Sequence, residues 1–82
     1  MATPVTAANV EETIYGGLVE LGAERDDLSR DATLESLDID SLDLVELAQI
    51  VEDEFGVELR GDDVKNVKTV SEVIDVVVAK AR

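Results

Sequence analysis

Leu37-Asp38-Ile39-Asp40-Ser41-Leu42-Asp43-Leu44-Val45-Glu46-Leu47-Ala48-Gln49-Ile50-Val51-Glu52-Asp53-Glu54-Phe55-Gly56 carries the clearest periodicity in the chain. Leu44, Leu47, Ala48, Val51 and Phe55 recur at helical spacing, while Asp43, Glu46, Glu52 and Asp53 fall largely on other faces, which predicts an amphipathic helix. Asp40 is a good N-cap for it. Asp43, three residues later, completes an acidic capping box and complements the positive end of the helix dipole. Gly56 stops the helix. Ser41 then occupies N1, the first helical position.

Upstream, Val10, Ile14, Leu18 and Leu21 form one apolar stripe, predicting a first helix over about 7–21 that Gly22 ends. Either Thr6 or Asn9 can cap it, the latter with Glu12 reaching back. Residues 1–6 read as a flexible leader. Gly16-Gly17 inside a helix costs about 1 kcal/mol each relative to Ala, so a neighbour packs close there or the helix bends. The stretch 23–40 loses the pattern but keeps Leu28, Leu34 and Leu37, which predicts a long connection pinned to the core, with a short turn of helix within 29–37.

Downstream, Gly61 to Val67 suffices for two turns of a short third helix with Val64 and Val67 inward. Thr69-Val70-Ser71-Glu72 is a T-x-x-E capping box, followed by a stripe of Val70, Val73, Ile74, Val77 and Ala81. Val76-Val77-Val78 favours strand, but Lys80 and Arg82 suit a helix C-terminus and no partner strand is apparent. The expected fold is all-α: a four-helix bundle with three long helices, one short helix III and a long loop between helices I and II. The 82 residues fit a single domain.

Twenty acidic against seven basic residues, a net charge of −13, disfavour nucleic acid and anionic membranes and favour a basic patch on another protein. Between Glu35 and Asp63 stand eleven acids and a single Arg. Cys and His are absent, so disulfides, thiolate metal sites and triad-type catalysis drop out. No segment approaches the ~18 apolar residues of a membrane span, and no signal peptide is apparent. The expectation is a cytoplasmic monomer.

At N1 a serine hydroxyl faces solvent beside the free N–H groups of the first turn, an environment that favours a phosphate on that oxygen. The alternative is a tolerated polar residue at a helix start. Asp38, Asp40 and Asp43 raise the question of calcium. Counted from Asp38, however, the fifth, sixth and twelfth positions are Leu42, Asp43 and Gln49, where an EF-hand needs an oxygen ligand, Gly and Glu. Weak divalent binding to a solvated acidic face is the residual reading. Paired carboxylates on exposed helices of so small a domain lack a cleft that would set their pKa values apart, which argues against an enzyme. Leu42 and Val45 sit at the edge of the apolar stripe, flanked by Asp43 and Glu46. They are either core packing at the helix entrance or a small apolar contact ringed by charge, as in a transient protein interface.

Asp40-Ser41-Leu42, the following Asp43-Leu44-Val45-Glu46-Leu47, Glu52-Asp53-Glu54-Phe55-Gly56, and Lys68-Thr69-Val70 together resemble the acyl carrier proteins of fatty acid and polyketide synthesis. The resemblance runs from about Val10 to Ala79. It implies that Ser41 is the attachment point for 4′-phosphopantetheine, added from coenzyme A by a phosphopantetheinyl transferase, with Asp40 and Leu42 beside it and Asp40 helping to orient the transferase-bound metal and cofactor. The acyl thiol would then come from the arm, consistent with a chain that has no cysteine. The resemblance also implies that Asp43, Val45, Glu46, Glu52 and Asp53, with Leu42, form the face recognised by basic patches on ketosynthases, acyltransferases and reductases. A Val/Leu/Ile core would let an acyl chain slip between the helices. Two features depart from the family pattern. Asp38 replaces the usual small residue, often Gly, three positions before the serine, and Lys65 and Lys68 bring positive charge near helix III. They favour a specialised polyketide carrier over housekeeping fatty acid synthesis. A peptidyl carrier and an acidic interaction module without a prosthetic group are the alternatives.

Overall fold

The computed structural model describes residues 4–81. Its elements run in the order α1 (Ala7–Glu20), a 3-10 turn (Arg25–Asp27), α2 (Ser41–Phe55), α3 (Gly61–Val64) and α4 (Val70–Lys80). Three long helices, one short one and a long first connection, with no strand among the described residues, make the expected all-α bundle. The core joins the stripes of α1 (Val10, Ile14, Leu18), α2 (Leu47, Val51, Phe55) and α4 (Val70, Val73, Ile74, Val77). Among the described residues no polar or charged side chain is buried with it.

Thr6 rather than Asn9 caps α1: its Oγ1 accepts the Asn9 N–H at 3.1 Å. Asn9 lies inside the first turn and its Nδ2 donates back to the Pro4 carbonyl at 3.1 Å. Capping at Thr6 keeps Ala7 and Ala8, both strong helix formers, within the helix. Val5 packs against the core. Residues 4–6 of the expected leader thus make these contacts with α1 and the core, and residues 1–3 of it lie outside the described residues.

Leu21, expected as the last helical residue, is the C-cap. The Gly22 N–H donates to Val19 at 3.0 Å and the Ala23 N–H to Leu18 at 2.9 Å, closing a Schellman motif whose left-handed position is Gly22 at φ 109°. The two interior glycines differ. A Cβ on Gly17 would lie 2.8 Å from Leu47 Cδ1, so Gly17 is where α1 and α2 approach closely, whereas Gly16 borders open space. Close approach, not a bend, accounts for Gly17.

The connection between α1 and α2 is pinned as its leucines predict, with Leu34 and Leu37 buried and Leu28 half-buried. Its 3-10 turn lies at Arg25–Asp27, earlier than the helical turn expected within 29–37. The later stretch instead forms hydrogen-bonded turns, with the Leu37 N–H bridging to Thr33 and Leu34 at 3.3 and 3.2 Å. Leu34 and Leu37, three residues apart, share the face of a single turn, and the left-handed backbone at Asp38, φ 59°, ends it before a regular helix can extend. An isolated bridge between Thr33 and Thr69, with Leu34 N–H to Lys68 O at 2.8 Å and Val70 N–H to Ala32 O at 3.1 Å, fastens this segment to the start of α4.

A polar latch holds the other side of the loop. Arg30 Nε donates to Glu11 Oε2 at 2.7 Å, and the Tyr15 hydroxyl donates to the same oxygen at 3.3 Å. The Arg30 hydrogen bond holds the Glu11 carboxyl below its ordinary range, with Tyr15 adding to it, and burial pushes the Tyr15 phenol up. A carboxyl lowered on folding adds stability above the ordinary glutamate range, which fades as pH falls through the lowered value.

The expected two-turn helix over 61–67 is one turn, Gly61–Val64. Only Val64 of it is buried, while Val67 packs half-buried from the loop beyond, too little apolar surface to sustain a second turn. The Asp63 carboxylate accepts the Arg60 N–H at 2.9 Å and pairs with Lys80 at 3.2 Å, tying α3 to α4. In α4 the Thr69–Glu72 capping box is formed, with Thr69 Oγ1 accepting the Glu72 N–H at 3.2 Å and Glu72 Oε1 the Thr69 N–H at 3.1 Å. The stripe ends at Val77, because Ala81 falls at the C-cap and is exposed.

Candidate functional site

Ser41 is N1 of α2, as the capping residues predict. Asp40 Oδ1 accepts the Asp43 N–H at 3.0 Å, and Asp43 Oδ2 accepts the Asp40 N–H at 3.3 Å. This reciprocal box uses both carboxylates and leaves Ser41 exposed, its hydroxyl without a hydrogen bond among the described residues. The Leu44 N–H is the first to bond a carbonyl of this turn, that of Asp40 at 3.0 Å. The N–H groups of Ser41 and Leu42 therefore precede the intrahelical ladder and point toward the serine end.

Just before the site the chain makes a left-handed step at Asp38, φ 59°, the sole non-glycine residue with positive φ among those described. That geometry gives a reason for glycine three positions before the serine: the backbone there is left-handed, which Gly adopts freely and Asp tolerates better than most side chains. The step lets the Ile39 N–H reach the Leu34 carbonyl at 2.9 Å and turns buried Ile39 inward, leaving Asp40 at the cap.

Leu42 and Val45 are 76% and 62% exposed, so they are not core packing at the helix entrance. Leu42, Val45, Glu46, Gln49, Glu52 and Asp53 follow three- and four-residue spacing along one face of α2. Within it Glu46 and Asp53 are exposed and Glu52 is half-buried, and Gln49 Nε2 donates to Asp53 Oδ1 at 3.3 Å. The structure thus brings five of the anticipated contact residues onto one strip. Asp43 stands apart, half-buried and engaged in the cap. Asp38, Asp40 and Asp43 are neighbours in sequence, but among the described residues no group of three ligating side chains is placed to hold a metal.

Sequence periodicity alone did not reveal the two clefts beside this strip. One, of about 530 Å³, opens at Ser41 and is walled by Leu34, Ile39, Leu44 and Val67, with Thr33, Glu35, Asp40 and Lys68 also lining it. A smaller one, of about 160 Å³, lies between α2 and α3, lined by Val45, Ala48, Leu59 and Val64 with Glu52 and Arg60. The half-buried Leu44, at the edge of its stripe, is the one sequence signal for the first cleft. Val67 and Lys68 reach it through the loop after α3, whose path no local pattern announces. Among the described residues no helix is long and apolar enough to cross a membrane.

The model for the phosphopantetheine attachment site family matches residues 19–77. The acyl carrier protein of Chlorobium phaeobacteroides (strain DSM 266 / SMG 266 / 2430) is 33% identical over 78 residues, covering 93% of this chain and all of the relative. The solution structure of the 3,7-dioxo-octyl actinorhodin acyl carrier protein from Streptomyces coelicolor matches with a TM-score of 0.69 and 28% identity over the whole of both chains. The chain belongs to the acyl carrier protein family. Members of this family are carriers, not enzymes, and bear 4′-phosphopantetheine covalently; they work with a phosphopantetheinyl transferase and with biosynthetic enzymes.

Proposed function

We propose that Ser41 is the residue that carries the arm, and that the chain holds acyl intermediates there and delivers them to partner enzymes. The observation that carries this reading is the exposed Ser41 hydroxyl, unpartnered among the described residues, at N1 within the matched segment 19–77. The residues around it fit the group. The free N–H groups of Ser41 and Leu42 and the positive end of a 15-residue helix favour a phosphodiester on Ser41 Oγ. When bound, the arm supplies the thiol that this chain lacks. Asp40 holds the first turn and Leu42 offers an exposed apolar contact beside the serine.

The strip of Leu42, Val45, Glu46, Glu52 and Asp53, with Asp43 beside it in the cap, is the docking face: apolar at the serine end, acidic along its length, and suited to basic patches on ketosynthases, acyltransferases and reductases. The carrier acts as a monomer in the cytoplasm. A polyketide pathway is the better fit than fatty acid synthesis. The cleft at Ser41 mixes apolar walls with Thr33 and Lys68, polar groups that suit a cargo with carbonyls along it, and the similar solved carrier is described with a 3,7-dioxo-octyl group. Incubation with coenzyme A and a broad-specificity phosphopantetheinyl transferase should add the mass of one arm to the chain and none to Ser41→Ala. An unchanged mass, under conditions that convert a control carrier, rejects the reading.

A further inference from the structure

We propose that Lys68 is the counter-cation of the phosphodiester on Ser41, an inference that rests on the reading of Ser41 above. Lys68 and Ser41 line the same cleft, and Lys68 is the one cationic residue among those that line it. The other ionic groups of that wall, Glu35 and Asp40, are carboxylates. A phosphodiester there adds a negative charge to an acidic neighbourhood in a chain of net charge −13, so a nearby cation has a larger effect than it would on a neutral surface.

The ammonium is available for that task. Arg30, Arg60, Lys65 and Lys80 each pair with a carboxylate, at 2.7, 3.5, 4.0 and 3.2 Å, whereas Lys68 forms no ion pair among the described residues. Glu72, the nearest carboxylate in sequence, already accepts the N–H groups of Lys68 and Thr69, each at 3.1 Å.

Backbone bonds hold the main chain of Lys68 beside the segment that leads into the serine, so that its side chain starts from a fixed point on the wall of the cleft. The Leu34 N–H donates to the Lys68 carbonyl at 2.8 Å, and the Ile39 N–H donates to the Leu34 carbonyl at 2.9 Å. Two hydrogen bonds and one covalent step thus connect Lys68 to Asp40, the cap of the helix that Ser41 begins. Lys65, three residues earlier, has no such link and pairs with Asp62 instead.

The test compares the chain before and after arm addition, with conversion scored first by intact mass. A limiting amine-reactive acylating reagent, read out by peptide mass spectrometry, should label Lys68 about threefold more slowly in the arm-bearing protein. That is the factor one added unit charge about 6–8 Å away makes in a water-like dielectric. Lys65 and Lys80 should label as before, and the Lys68 protection should vanish in high salt. In a second measurement, arm addition should lower the melting temperature more in Lys68→Gln than in the parent, and Lys68→Arg should restore the parent difference. Equal labelling of Lys68 in the two forms overturns the inference while leaving the Ser41 reading intact. So does protection that persists in high salt, which would mark simple covering by the arm, or an equal melting shift in parent and Lys68→Gln. Failure to add the arm at all overturns both.

Discussion

Leu42 and Leu47 are the same side chain on the same helix, little more than one turn apart, yet Leu42 is 76% exposed and Leu47 1%. Leu47 points at α1, where Gly17 has given up its side chain to make room. Leu42 points at solvent beside Ser41. The core half of α2, ending in Leu47, Val51 and Phe55, builds the bundle. The entrance half, from Asp40 to Glu46, contributes little burial and contains the apolar exposure, the capping carboxylates and the free hydroxyl. Two large apolar residues exposed side by side and ringed by acids are what the proposed docking face rests on.

Substitutions can sharpen or break this division. The largest effect is expected for Leu47→Ala, a loss of about 2–5 kcal/mol in chemical denaturation, typical of a fully buried leucine; a loss near zero would place the core elsewhere. Gly17→Ala should cost up to about 2 kcal/mol, because overpacking against Leu47 offsets or outweighs the roughly 1 kcal/mol gained in helix propensity. Gly16→Ala, facing open space, should stabilise by up to about 1 kcal/mol. If the two alanines behave alike, the close approach of α1 and α2 at Gly17 is wrong. Asp38→Ala should lose about 1 kcal/mol, since alanine lacks the local hydrogen bonding that eases a left-handed backbone, and Asp38→Gly should be tolerated. The smallest change in stability belongs to Leu42→Ser, within about 0.5 kcal/mol. The same variant should lower the kcat/KM of arm addition about tenfold, the loss of one apolar anchor in a small interface. A stability loss as large as that of Leu47→Ala, or unimpaired arm addition, would erase the distinction between the two halves.

Much of this was legible in the sequence because α1, α2 and α4 each carry their own caps and stripes, local signals that packing then confirmed. Thr6, Asp40 and Thr69 cap through side chains bonded three residues on. The position of Ser41 followed from Asp40 and Asp43 alone. What escaped was set by contacts distant in sequence. The bends around Leu34 are fastened by pairing with Lys68 and Val70, and of the one-turn α3 only Val64 is buried. Whether Leu42 and Val45 were core or surface was likewise undecidable from their spacing, since the edge of a stripe can turn either way. The departure at Asp38 gains a physical meaning only with its φ of 59°.

The claim that the entrance half of α2 carries the arm is tested most directly by locating it. The chain has four serines, Ser29, Ser36, Ser41 and Ser71. After treatment with coenzyme A and a phosphopantetheinyl transferase, fragmentation of the proteolytic peptides should find the added mass on Ser41 alone. An arm on Ser29, Ser36 or Ser71 would contradict the account.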